Sequence, residues 1–188
     1  MIPNKQQTIE ILKKYVTKEA NIDHCLLVGY GMLGISKYLN KPENEQDYWF
    51  AVGTLHDIDI ELFGEDIKQH TIIGEKLLKQ ENIDPQIIED IKSHNEAIYP
   101  QRTKDIQHAL FSLDGLTGII RAYVLMRPDK NIQNAETKSI LKKIKDKYFA
   151  TAINREKIQL CETTLNIPLE KFIDITLTEI KLNWKKEI

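Results

Sequence analysis

Only two cysteines occur in the 188 residues, Cys25 and Cys161, and they lie far apart with no C-x-x-C spacing. That excludes a disulfide framework and a thiolate zinc site. Glycine and proline are also scarce, eight and six in all, and they fall mainly at plausible element ends. A chain with few sharp turns and no sustained apolar–polar alternation is not assembled from short strands. No charge of one sign dominates. The formal net charge is −2, which argues against a general nucleic-acid binder relying on phosphate neutralisation, and no nucleic-acid motif is present. No uninterrupted apolar run reaches the roughly 18 residues of a membrane span. The opening Met1-Ile-Pro-Asn-Lys-Gln-Gln-Thr lacks the apolar core of a secretory signal. The expectation is a protein of the reducing cytoplasm that engages no membrane.

What is present is helical spacing. Length and a 41% hydrophobic content suit one domain with a substantial core. A first helix is expected over 6–17, with Ile9, Leu12 and Val16 on one side. A second follows over about 23–39, capped by Asn21 or Asp23. The polar linker 40–47 leads to a short apolar helix ending near His56, then an irregular turn over 57–64. A helix over 67–80 would be opened by His70. Asp84-Pro85 pairs an N-cap residue with proline at the first helical position, starting a helix that runs to His94. The longest and most apolar helix, 104–126, stops before Pro128. Further helices are expected at 135–149, 155–165 and 169–184. The fold class is all-α: a single bundle of about seven to nine helices, with candidate ligands within 21–127 and C-terminal helices in 128–188.

Along this chain, metal-ligating side chains recur in order. Four of the five histidines, His24, His56, His70 and His94, are joined by Asp57 and Asp114, leaving only His108. His56-Asp57 closes an apolar run that includes Trp49, Phe50, Val52 and Leu55. An imidazole and a carboxylate therefore sit side by side at a helix end, where rigid donors meet a wet rim. Imidazole suits Fe, Mn, Co, Ni and Zn, and carboxylate adds a harder oxygen that can bridge two ions. Asp114 is the most telling single residue, lying mid-helix among Leu110, Leu113, Leu116 and Ile119. A carboxylate there is costly to bury without a cation. Arg121 at i+7 or a metal would serve, with Thr117 and Gly118 shaping the pocket floor.

Ordinary readings stand beside these. His24, beside Leu27, Val28 and Gly31, fits a satisfied core histidine. Gly74, one turn after His70, leaves room for an ion's other ligands or for a close helix contact. His94 fits a helix C-terminus, where the macrodipole favours it. The run Lys138, Lys142, Lys143, Lys145 and Lys147, against the single acid Asp146, is either a solvated helix face or a lid over an anionic substrate.

The ordered set His24, His56-Asp57, His70, His94, Asp114 resembles the H…HD…H…H…D arrangement of the HD superfamily of metal-dependent phosphohydrolases, in its two-metal form. Residues His70 to Leu78 follow H-x-x-x-G-x-x-x-L, and His94, Glu96 and Tyr99-Pro100 echo an H-x-E…Y-P segment of one branch. The motif continues Ile58-Asp59-Ile60 where that superfamily commonly has I-G-K. With Asp114-Gly-Leu-Thr-Gly, Arg127-Pro128 and the lysine run before Phe149-Ala150, the chain is similar to small stand-alone bacterial HD hydrolases.

The resemblance implies one metal on His24, His56, Asp57 and Asp114, and a second on Asp57, His70 and His94, with Asp57 bridging. It implies two divalent ions drawn from Mn, Fe, Co, Ni, Zn or Mg, and a bridging hydroxide that attacks phosphorus. The implied substrate is a small phosphorylated molecule: a phosphomonoester, nucleotide or related ester. Beside the catalytic Asp57, Asp59 and Glu61 are expected to manage protons. Arg121, Lys138, Lys142, Lys143 and Lys147 are expected to clamp phosphate. Some members use the same six ligands for a mixed-valent di-iron centre that activates oxygen, which is the alternative reaction. A nucleotide-sensing module without turnover is a third reading, and a homo-oligomer is compatible with each.

Overall fold

Asn4 and Gln7 start the first helix by a reciprocal capping box: each side chain accepts the other's backbone N–H, at 2.9 and 3.0 Å. That helix is α1 (Lys5–Tyr15) in a computed structural model that describes residues 1–184. Nine α-helices, one 3₁₀ turn (Ile132–Asn134) and no strand occur among the described residues, as the all-α expectation required.

The second helix, α2 (Glu19–Tyr38), begins earlier than its sequence suggested, and neither Asn21 nor Asp23 caps it. Lys18 holds the cap position without a side-chain bond. The missing cap comes from far along the chain. Glu61 accepts the backbone N–H groups of Thr17 at 3.2 Å and Lys18 at 2.8 Å, the Thr17 hydroxyl at 2.7 Å and the Asn21 amide at 3.1 Å. The Thr17 hydroxyl, then the Lys18 amide, hold its carboxyl down to about 2. Glu61 is thus a helix cap, and with both oxygens committed it is not the proton handler expected from its place beside the HD motif.

The linker expectation is corrected as well: α3 (Glu43–Leu55) takes in most of 40–47. Glu43 and Glu45 in its first turn complement the positive end of the helix dipole. Every residue from Trp49 to Leu55 is buried. After His56 the chain runs through turns as far as residue 71, and α4 (Ile72–Gln80) starts only there. His70 therefore precedes the helix rather than opening it. Thr71 sets this boundary, since its φ of 66° is left-handed and cannot continue a helix backwards. α5 (Pro85–Lys92) begins on the Asp84 cap and Pro85 as expected, and ends two residues before His94. α6 (Asp105–Met126), α7 (Thr137–Lys145), α8 (Arg155–Thr164) and α9 (Leu169–Asn183) complete the fold.

α2 is the hub, packing against α3, α6 and α9. Its contact with α3 is the tightest: a Cβ placed on Gly53 would lie 2.9 Å from the Gly29 Cα and 3.0 Å from the Val28 carbonyl oxygen. Two backbones meet there with no side chain between them. α6 is long and apolar enough to cross a membrane by length and composition, yet 56% of its most apolar window is buried inside the protein. It packs on α2, α7 and α8, so it is a core helix, and it carries Asp114 to the floor of a cavity rather than into the core.

Candidate metal centre

Three of the histidines are oriented by their Nδ1 atoms. His56 and His94 use the same local device, a bond to the carbonyl three residues back at a helix end: Gly53 O at 2.8 Å and Ile91 O at 2.6 Å. Both carbonyls belong to last turns whose acceptors lack helical partners. His70 Nδ1 instead meets Asp59 Oδ1 at 2.8 Å, while Asp59 Oδ2 accepts the N–H groups of Thr71 at 2.7 Å and Gly74 at 2.8 Å. Carbonyls and carboxylates only accept, so in each neutral ring the proton sits on Nδ1 and the Nε2 lone pair is bare.

Those bare nitrogens converge on one carboxylate. Asp57 Oδ2 lies 3.5 Å from His56 Nε2 and 3.7 Å from His24 Nε2. Its other oxygen, Oδ1, lies 3.3 Å from His70 Nε2 and 3.5 Å from His94 Nε2. Asp114 approaches from α6, with Oδ1 3.1 Å from His24 Nε2 and 3.9 Å from His56 Nε2. The structure thus brings together all six residues of the H…HD…H…H…D set. They divide into His24, His56 and Asp57 on one side, with Asp114 alongside, and Asp57, His70 and His94 on the other.

This donor set calls for cations. His70 Nε2 and His94 Nε2 face each other at 2.8 Å, where two lone pairs repel unless a positive charge lies with them. His56 Nε2 is fully buried with no hydrogen-bond partner, and burial pulls its ring down to about 4, so it stays neutral. Burial acts the same way on His24 and His94, but Asp114 for the first and Asp57 for the second outweigh it and raise both. Burial alone would raise the Asp57 carboxyl; the surrounding imidazoles, His56 foremost, reverse this and lower it. Imidazoles gathered around carboxylates are the donor chemistry of Fe, Mn, Co, Ni or Zn. The residues fit divalent metal, and among the described residues Asp57 is the carboxylate with an oxygen toward each donor group.

Asp59 is a positioning residue. It is completely buried and spends both oxygens on His70, Thr71 and Gly74, so it has none free for the proton transfer expected of it. Gly74 makes room for this carboxylate rather than for an ion: a Cβ there would stand 3.2 Å from Asp59 Oδ2. Removing an outer partner of this kind weakens metal affinity by about 10–100-fold. Asp59→Asn is therefore expected to weaken the His70–His94 side selectively, read by metal titration as loss of the tighter fit for one ion while the other is held.

A cavity of about 310 Å³ opens onto the centre, lined by His24, His94, Phe111, Asp114, Gly115, Gly118, Ala152, Ile153, Asn154 and Lys157. Its outer wall is the turn before α8. Ile153 lies in a groove that the glycines of α6 leave open; a Cβ on Gly118 would come within 2.9 Å of its Cδ1. Arg155 holds that wall in place, its guanidinium donating to the carbonyls of Ile144, Asp146, Phe149, Ala150 and Ile153.

The lysines expected to clamp phosphate are elsewhere. Ile140 and Ile144 are the buried side of α7, which turns the lysines outward. Lys138 lines a separate groove with Pro168 and Lys171, Lys142 is exposed, and Lys143 and Lys147 lie over the rings of Phe149 and Tyr148. None of the four lines the metal cavity. Arg121 does not pair with Asp114; its Nε is buried without a hydrogen-bond partner, and its charge acts on His24. The cation that does line the cavity, Lys157, gave no sequence signal, because only the fold of α8 onto α6 brings it there. Phe111 was legible in principle as the residue one helical turn before Asp114.

No curated protein and no solved structure is significantly similar to this chain. Residues 21–130 match the HD domain family, a span that takes in all six converging residues and more than half of the chain. Proteins of this family bind divalent metals and form a superfamily of metal-dependent hydrolases. This chain belongs to the HD domain family.

Proposed function

We propose that this protein is a metal-dependent phosphohydrolase acting on a small phosphate ester in the cytoplasm. The observation that carries the reading is the division of Asp57, with one oxygen facing His24 and His56 and the other facing His70 and His94. When bound, a pair of divalent ions acidifies water and neutralises phosphoryl charge. The protein's own part is positioning. Asp57 holds the two halves of the centre in register, Asp59 fixes His70, and the carbonyls of Gly53 and Ile91 fix His56 and His94. Asp114, half-exposed on α6, presents its carboxylate to the cavity. Ile153 and Phe111 make part of the cavity wall apolar, which limits water around the bound ester, while Asn154 and Lys157 offer polar contacts. A cavity of about 310 Å³ lies at the small end of ligand sites, which suits a small ester.

The deciding experiment is elemental analysis of the purified protein, combined with phosphate release from a panel of esters under added Mn, Co, Ni and Mg. About two ions per chain together with phosphate release is the expected result. Two irons with oxygen consumption and no phosphate release would replace this reading with the di-iron oxygenase. A single ion per chain after loading would leave His70 and His94 as structural residues.

A further inference from the structure

At the rim of the metal cavity three charged side chains gather around one ring. Phe111 lines the cavity. The Arg102 guanidinium carbon lies 3.4 Å from the centre of that ring, and Lys157 Nζ lies 4.8 Å from it. Lys157 also lines the cavity. Glu96 reaches the same place: its Oε1 is 2.5 Å from Lys157 Nζ, and its charge acts on Arg102.

The hydrogen bonding of this group does not balance. Nε and Nη2 of Arg102 are both buried with no partner. A guanidinium stacked on a ring gains from the contact, yet leaving two of its donors covered and unanswered is costly. Two cations converge on this ring, and the one carboxylate paired there is held by Lys157. That carboxylate belongs to a side chain 58% exposed, so it can swing out into water at small cost. Arg102 lies on the connection between α5 and α6, flanked by the exposed Gln101 and Thr103, and not in the core. A planar fork of donors beside an ammonium is the arrangement that recognises a phosphoryl or carboxylate group.

We propose that Arg102 and Lys157 form a second anion subsite beside the metal centre, so that the substrate is a phosphate ester carrying a further anionic group, which displaces Glu96. This rests on the phosphohydrolase reading and narrows its substrate class. The second anion is either another phosphoryl group or a carboxylate, which the geometry treats alike.

The test is calorimetric binding to the full-length, Mn-loaded protein of three probes: orthophosphate, imidodiphosphate and phosphonoacetate. Orthophosphate reaches the metal centre only, and the other two add a phosphoryl or a carboxylate arm. Because a longer anion also chelates metal, the telling quantity is each probe's affinity relative to orthophosphate, compared between wild type and variants. Arg102→Ala and Lys157→Ala are each expected to lower that ratio about tenfold for at least one two-armed probe, the loss expected for a charge-assisted hydrogen bond. The probe that loses identifies the second anion. Glu96→Gln is expected to move the ratio the other way. Lys157 and Glu96 are partly exposed, so those two variants remain informative if Arg102→Ala loosens its loop. Ratios unchanged in all three variants would overturn the subsite and leave the phosphohydrolase reading standing. Failure of the loaded wild type to bind any probe would overturn both.

Discussion

Asp57→Ala is expected to strip the protein of metal on both sides of the centre at once and to abolish any hydrolysis that depends on it. The reason lies in the two oxygens. Oδ2 stands 3.5–3.7 Å from His56 and His24, Oδ1 3.3–3.5 Å from His70 and His94, and among the described residues no other side chain belongs to both groups. Removing it leaves His70 and His94 facing each other at 2.8 Å with no carboxylate to hold a cation between them. It also takes away the carboxylate oxygen 3.5 Å from the buried His56 Nε2. Elemental analysis after loading, with a thermal melt as control for folding, reads the result. Retention of the wild-type metal content would contradict the bridging role. Asp59→Asn is the contrasting case, a graded loss confined to one side.

Gly53→Ala is expected to damage the scaffold rather than the chemistry. A methyl group there would sit 2.6 Å from Met32 Cγ, 2.9 Å from the Gly29 Cα and 3.0 Å from the Val28 carbonyl oxygen. Met32 can move, but backbone cannot, so α2 and α3 must separate. Overpacking of this kind costs about 3 kcal/mol, and each kcal/mol lowers Tm by about 2–4 °C in a domain of this size, giving a fall of about 6–12 °C. Gly53 also supplies the carbonyl that orients His56, so metal affinity should fall together with stability. A melting temperature within a degree or two of wild type would show that the interhelical contact yields far more easily than its geometry implies.

The helices were legible because their signals are local. The Asp84-Pro85 start, the Pro128 stop and the helical spacing of Ile9 and Leu12 in α1 act within a turn or two of the chain. The start of α2 was not, since its cap is Glu61, 43 residues beyond Lys18. The start of α4 was missed because a β-branched residue in left-handed backbone, Thr71, carries no expectation of its own; it is held there through its N–H by Asp59. At the centre, the six residues were readable from their order along the chain, through its resemblance to the HD arrangement, while each alone had an ordinary reading. The roles of Asp59 and Glu61 were not, because a carboxylate's role depends on what its oxygens accept. The lysines of α7 misled for a related reason: charge density along a helix records which side is solvated, not which cavity lies nearby.

The wall of the cavity has a consequence for how this chain can change. The six converging residues lie between His24 and Asp114, within the part of the chain that matches the HD domain. Ala152, Ile153, Asn154 and Lys157 face them from outside that part. The turn is held by the fan of bonds from Arg155 and by Ile153 against two glycines, and Lys157 by Glu96 and the Phe111 ring; none of these contacts is with a histidine. Replacements in this short stretch can therefore reshape what enters the cavity while leaving every orienting bond of the centre untouched. That stretch of the cavity wall is free to vary on its own, while Phe111 ties the opposite wall to the helix that carries Asp114.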